Sequence, residues 1–230
     1  MVSIENENKK VEPGAASNFL HKVLDVRFLT KNTYNLRIER NNLIFKAGQL
    51  INVGIPGVGV NREYSIYSGL NENFIDILIR EVEGGVVSVA LKNSKPGDFV
   101  EVHGPYGEFW LTNAVESRSY LFIATGTGIA PFHCFVKSYP HLKYKVLQGV
   151  RFLNECYDKS DYKPGQYVGC VSKEQGGDFF GRVTDYLKVN KVSPETITYL
   201  CGNRSMIIEV YGILRGQGVP SSNIFTEVFF

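Results

Sequence analysis

The chain has 230 residues, 43% of them apolar, which is enough for two compact domains with substantial cores. Lys and Arg total 25 against 23 Asp and Glu, so there is no strong whole-molecule field with which to gather nucleic acid. No apolar run approaches the ~20 residues that cross a bilayer, and the opening MVSIENENKK lacks the apolar stretch of a secretory leader, so the expected location is cytoplasmic.

Residues 1–18 are polar, carry Pro13 and Gly14 and show no periodicity; they are expected to form a flexible tail. Short β-type runs then alternate with turn signals, at 22–29, 33–38, 49–55, 63–67, 74–80 and 99–102, with one brief helix at 87–93. Six short strands and a short helix predict a six-stranded antiparallel Greek-key barrel. After Leu111 the pattern changes. Residues 119–124 form a nearly continuous apolar run, as in a parallel strand covered on both faces. Comparable runs follow at 144–150, 166–171, 197–200 and 224–228, separated by helical candidates at 130–138, 153–159, 183–189 and 206–215. This alternation predicts a doubly wound α/β domain on a five-stranded parallel sheet. The expected organisation is a tail over 1–18, a barrel over 19–113 and an α/β domain over 114–230.

Four cysteines, Cys134, Cys156, Cys170 and Cys201, are scattered without the close spacing of a zinc or iron–sulfur site. Electron transfer, if it occurs, would therefore use a bound organic cofactor.

The sharpest local motif is Ala124-Thr125-Gly126-Thr127-Gly128-Ile129-Ala130-Pro131, between the first apolar strand and the helix after it. Glycines there let backbone amides approach a phosphate, and the helix start adds partial positive charge. In the barrel, Arg62 and Tyr64 alternate along Arg62-Glu63-Tyr64-Ser65 and so share one face. Gly84-Gly85-Val86-Val87-Ser88 precedes the short helix, and Gly104-Pro105-Tyr106-Gly107-Glu108-Phe109 closes the barrel. Each admits a plainer reading when taken singly: a tight turn, a solvated edge strand or a hairpin.

In this order, followed by Cys201-Gly202 after a later strand and preceded by Phe45-x-x-Gly48-Gln49, these elements resemble the ferredoxin–NADP⁺ reductase family. The resemblance runs from about Phe19 to the end of the chain. It implies FAD on the barrel, a nicotinamide nucleotide on the α/β domain and the flavin between them. By motif, Arg62 corresponds to the flavin diphosphate ligand, Tyr64 to the residue packed on the flavin ring and Ser65 to the hydroxyl at flavin N5. Gly85, Val86 and Ser88 correspond to a second diphosphate contact, and the resemblance of Gly-x-x-Ser-x-x-Leu to the FAD-binding members, whose FMN-binding relatives carry a different glycine-serine loop, implies FAD rather than FMN.

Thr125, Gly126, Thr127 and Gly128 would hold the nucleotide diphosphate, with Cys201 and Gly202 beside the nicotinamide and Glu227 as a nearby carboxylate. A terminal aromatic covers the flavin in this family; Phe230 is the first candidate and Phe229 the second. Both depart from the usual Tyr or Trp and keep only the stacking face. Ordinary strand packing is the plainer reading of the pair. Arg151, Ser172, Lys173 and Arg182 fall at positions that favour the 2′-phosphate of NADP(H), although Lys173 replaces a common Arg. Glu155 leaves room for a free ribose hydroxyl. The implied activity is that of a ferredoxin/flavodoxin–NADP⁺ reductase serving an electron-carrier protein. The alternatives are the reductase component of an oxygenase, which often carries its own four-cysteine ferredoxin domain, and a flavin-binding subunit without turnover. Ser65, Cys201 and Glu227 together argue against the last.

Overall fold

The computed structural model describes residues 19–111 and 117–229. The expected tail, the expected boundary at 113/114 and Phe230 lie outside the described residues.

Alternation along the first half builds one antiparallel sheet from β1 (Leu20–Phe28), β2 (Thr33–Glu39), β3 (Leu50–Gly54), β4 (Asn61–Ser65), β5 (Phe74–Arg80) and β6 (Phe99–Tyr106). The order is β4-β3-β6-β1-β2-β5. β6 returns beside β1 in the Greek-key manner. Ile66 bridges to Ile77 and the Tyr67 amide donates to the Asp76 carbonyl at 2.7 Å, which joins the two edges into a barrel. Tyr34, Leu36 and Ile38 on β2 and Ile75, Ile77 and Ile79 on β5 fill its interior. Helix α1 (Val86–Lys92) plugs one end with Val87 and Leu91. β6 runs four residues beyond the expected 99–102: it continues through Pro105 because the pairing with β3 shifts register between Leu50 and Asn52. Proline is tolerated at such an irregularity.

The second half forms a fully parallel sheet of β7 (Ser119–Thr125), β8 (Lys143–Val150), β9 (Tyr167–Val171), β10 (Phe179–Phe180), β11 (Ile197–Asn203) and β12 (Ile224–Phe229), ordered β10-β9-β8-β7-β11-β12. Six strands replace the expected five. The extra strand, β10, has two residues, pairs Phe179 with Cys170 and Phe180 with Val171, and is too short to leave an alternation signal. Helix α2 (Ala130–Ser138) packs on one face, where its core merges with that of the barrel. Helices α3 (Val183–Val189) and α4 (Arg204–Gly216) cover the other.

The helix expected at 153–159 is replaced by two single 3₁₀ turns, Leu153–Glu155 and Lys159–Asp161. Glu155 accepts from the amides of Arg151 and Phe152 and Glu174 from that of Leu153, which caps the first turn, but Cys156 leaves helical geometry at ψ 72°. Asp158 then adopts a left-handed φ of 46°, which ends any right-handed run.

The two sheets are tied by polar and aromatic contacts. Arg27 makes a bidentate pair with Asp158 at 2.9 and 2.7 Å, and the Tyr67 hydroxyl donates to the same carboxylate at 2.9 Å. His133 stacks on Tyr67 with ring centres 3.8 Å apart and places Nε2 3.0 Å from Asp161. Phe109, following β6, packs against Phe132, Phe135 and Tyr199 of the α/β half. Gly48 fits beneath it at φ +98°, where a Cβ would stand 2.0 Å from the Phe109 carbonyl and 2.6 Å from the Phe135 ring. Gly48→Ala is expected to destabilise the folded protein by about 1–3 kcal/mol through strain and overpacking, read as a lower urea midpoint; an unchanged midpoint would show that this junction yields freely.

Candidate active site

In a doubly wound sheet, ligands bind beyond the carboxyl ends of the strands, where the chain switches direction. Here that place lies between β7, from which the chain proceeds to β8, and β11, to which it returns. Two glycines bring the backbones together there. A Cβ on Gly128 would stand 2.5 Å from the Cys201 carbonyl oxygen, and one on Gly202, at φ +129°, would stand 2.4 Å from Thr125 Oγ1. The Asn203 amide donates to Thr125 Oγ1 at 2.9 Å. Thr125, Gly128, Cys201 and Gly202 thus form one interlocked unit. Gly126, at φ +53°, has open space where a side chain would stand, so this part of the turn is accessible to a ligand. The residues Gly126–Ile129 make a 3₁₀ turn that leads directly into α2, with no acidic residue in either first turn.

Gln148, which the sequence reading missed, supports this turn. Fully buried on β8, it donates through Nε2 to the Gly126 carbonyl at 3.1 Å and the Glu155 carbonyl at 3.2 Å, and accepts from the Tyr167 hydroxyl. A polar residue inside the apolar run 144–150 was the available signal.

Ser65, Cys201 and Glu227 meet across the two halves, from β4, β11 and β12. Ser65 Oγ lies 3.5 Å from Glu227 Oε2, and Cys201 Sγ lies 3.8 Å from the same oxygen. The parallel register sets Cys201 beside Glu227. Burial pushes the Glu227 carboxyl up to about 7; the hydrogen bonds from Cys201 and Ser65 pull the other way, and the charge of Glu63 adds to the rise. Glu63 is a second residue that the motif reading did not assign. Burial and the adjacent Glu227 raise the Cys201 thiol well above its ordinary value, so it stays protonated and donates rather than attacks.

On β4, Arg62 is exposed and Tyr64 half-buried. Burial lifts the Tyr64 phenol to about 12. Tyr64 makes no ring contact or hydrogen bond among the described residues, leaving a flat apolar surface beside an exposed guanidinium. Tyr34, buried in the barrel, donates its hydroxyl to the Ser88 carbonyl, and burial raises the Tyr34 phenol, with Tyr64 adding to the rise. Ser88 Oγ itself accepts from the Val82 amide at 3.0 Å, and its proton remains available to a ligand. Gly85 caps α1, and the Val86 side chain beside it is 60% exposed. A cation, an aromatic face and buried hydroxyls along one strand and the adjoining loop suit a flavin dinucleotide. Phe229 pairs with Asn203 at the end of β12 and is half-buried; Phe230, the preferred covering residue, lies outside the described residues.

The basic set also converges. Lys173 N donates to the Arg151 carbonyl at 3.0 Å, Ser172 N to Val150 at 3.1 Å and Gly181 N to Val171 at 2.8 Å, so Arg151, Ser172, Lys173 and Arg182 share the carboxyl edge of β8, β9 and β10. Neither the two guanidinium groups nor the ammonium enters an ion pair among the described residues. Ser172 Oγ instead donates to the Val150 carbonyl at 3.1 Å. Glu155, the acid considered for a ribose hydroxyl, is already engaged by two backbone amides.

This two-sheet architecture defines a flavin-dependent oxidoreductase. Residues 21–110 match the family described as Oxidoreductase FAD-binding domain. The toluate 1,2-dioxygenase electron transfer component of Pseudomonas putida is 31% identical over 226 residues, covering 90% of this chain and 66% of that protein. Sulfhydrogenase 1 subunit gamma of Pyrococcus furiosus is 36% identical over 235 residues, covering 90% of this chain and 78% of that subunit. The fold matches a ferredoxin NADP⁺ reductase from Neisseria gonorrhoeae with a TM-score of 0.83 at 22% identity, over 93% of this chain and 100% of that one. The chain belongs to the ferredoxin–NADP⁺ reductase family, and its barrel is an FAD-binding domain. It spans 66%, 64% and 66% of the lengths of the first three curated relatives that it matches. No described helix is long and apolar enough to cross a membrane.

The raised Glu227 carboxyl couples this site to stability. Between about 4.5 and about 7 the folded state holds a proton that the unfolded chain releases, so stability falls as pH rises through that window. Glu227→Gln, which removes the buried charge, is expected to be more stable than the parent at pH 8, with the gap closing by pH 4.5. Urea midpoints measured across this range test the assignment; a gap independent of pH would refute it.

Proposed function

We propose that this chain is an FAD-dependent reductase that moves electrons between NADP(H) and a one-electron carrier protein, ferredoxin or flavodoxin. The observation that carries the reading is the convergence of Ser65, Cys201 and Glu227 from both halves on a single carboxylate oxygen. Bound flavin exchanges electrons with nicotinamide in pairs and with a carrier singly. The chain's part is to hold, orient and protonate. Arg62, with Gly85, Val86 and Ser88, would grip the flavin diphosphate, and Tyr64 and the terminal Phe229 and Phe230 would flank the ring. The Ser65 hydroxyl would lie at flavin N5, the hydride-accepting position. Cys201 and Gly202 shape the nicotinamide pocket at the close approach of β7 and β11. Glu227, with a carboxyl near 7, can exchange a proton at neutral pH.

Thr125, Gly126, Thr127 and Gly128 would take the nucleotide diphosphate. Arg151, Lys173 and Arg182, with Ser172, supply the charge that a 2′-phosphate needs. A second reading has support of its own: relatives at 31% and 36% identity are named as an electron transfer component of a dioxygenase and as a subunit of a sulfhydrogenase. In that case the chain would feed electrons to a larger redox enzyme.

Anaerobic mixing of the FAD-loaded protein with NADPH or NADH, followed by flavin absorbance, tests the main reading. NADPH should bleach the flavin much faster, and Arg182→Ala should raise the KM for NADPH about tenfold with little effect on NADH, as expected for loss of a charge-assisted phosphate contact. Equal rates with both nucleotides would remove the NADP(H) assignment, and failure to retain or take up FAD would remove the reading altogether. Titration with ferredoxin and flavodoxin separates the carrier reading from the second one: reduction of neither would favour delivery to a dedicated partner enzyme.

A further inference from the structure

The carboxyl edge of the parallel sheet holds one cation to which the reading above gives no role. Arg204 directly follows Cys201-Gly202-Asn203 and is the first residue of α4. It is exposed, and it enters no ion pair or side-chain hydrogen bond among the described residues. The first turn of α4 holds no acid to balance it. A cation at a helix start opposes the helix dipole, so this placement does not serve the helix.

Its position is set tightly. Asn203 Oδ1 accepts from the amides of Ser205 at 2.9 Å and Met206 at 3.4 Å, which starts the helix at Arg204. The Asn203 amide is bonded to Thr125 Oγ1 at 2.9 Å, and Gly202 and Gly128 press the end of β11 onto the turn after β7. The start of α4 is therefore held at the end of β11 that meets the turn at 126–128, although nearly eighty residues separate the two in sequence. In a helix the Cα–Cβ bond tilts toward the N-terminus, which directs the Arg204 side chain to this same edge. There, Gly126 leaves open space above the backbone.

We propose that Arg204 is a nucleotide-binding residue that grips the diphosphate common to NADP(H) and NAD(H), opposite the amides of the turn at 126–128. A guanidinium is suited to this because its planar fork matches two phosphate oxygens. The edge then divides its labour: Arg204 holds what the two nucleotides share, and Arg151, Lys173 and Arg182 read what distinguishes them. The inference rests on the nucleotide site proposed above.

Isothermal titration calorimetry of NADP⁺ and of NAD⁺ into the FAD-loaded protein tests it without turnover. Arg204→Ala should weaken both nucleotides by the same factor, about tenfold, and Arg204→Lys should recover part of the loss. Arg182→Ala should weaken NADP⁺ alone. The melting temperature of free Arg204→Ala should equal or exceed that of the parent, because a cation unfavourable to the helix has been removed; a lower one would mean a structural role and overturn the proposal. Unchanged affinities in Arg204→Ala, with Arg182→Ala still discriminating, would overturn the role of Arg204 and leave the nucleotide site standing. Selective weakening of NADP⁺ by Arg204→Ala would place the residue with the 2′-phosphate set and overturn the division. Normal nucleotide binding with a raised KM for flavodoxin would assign Arg204 to carrier docking and equally overturn it. If neither variant changed the binding of either nucleotide, the proposed site itself would fail.

Discussion

Everything at the candidate site depends on how closely two backbones approach. The turn after β7 and the end of β11 meet where Gly128 faces the Cys201 carbonyl and Gly202 faces Thr125, with less than 3 Å available for any added carbon. That contact fixes the turn at 126–128 against the end of β11, where Cys201 lies beside Glu227 and Asn203 caps α4. Glycine is required on both sides because a side chain on either would force the strands apart. The chemistry at the junction is correspondingly modest. A protonated thiol, a serine hydroxyl and a carboxyl near neutrality are groups that position and share protons, and none of them is an activated nucleophile.

The fold was legible wherever periodicity carried it. Alternation on β2 and β5 and continuous apolar runs on β7 and β11 each reflect how many faces of a strand are covered. It failed where the backbone departs from what composition favours. The stretch 153–159 has helical composition and a capped start, but the backbone leaves helical geometry at Cys156 and turns left-handed at Asp158. β10 exists only by its pairing with β9, which two residues cannot announce.

The candidate site was legible as motifs rather than as geometry. Nothing local to Ser65 or Glu227 points to the other, 162 positions away; only the resemblance to a family linked them. Gln148 and Glu63 escaped for a related reason. Each acts on a residue distant in sequence, Gln148 from the neighbouring strand by hydrogen bonding to Gly126 and Glu63 from the other sheet by its charge at Glu227. Glu155, which left room for a free ribose hydroxyl, accepts two amides of its own turn through Oε2.

Gln148 deserves a mechanical description. Its single amide nitrogen spans the Gly126 carbonyl on one side and the Glu155 carbonyl on the other, inside a fully buried strand. The Glu155 turn in turn carries Arg151 at its start. The turn after β7 and the loop after β8 are therefore joined through one buried side chain, so neither can shift without loss of a bond to the other.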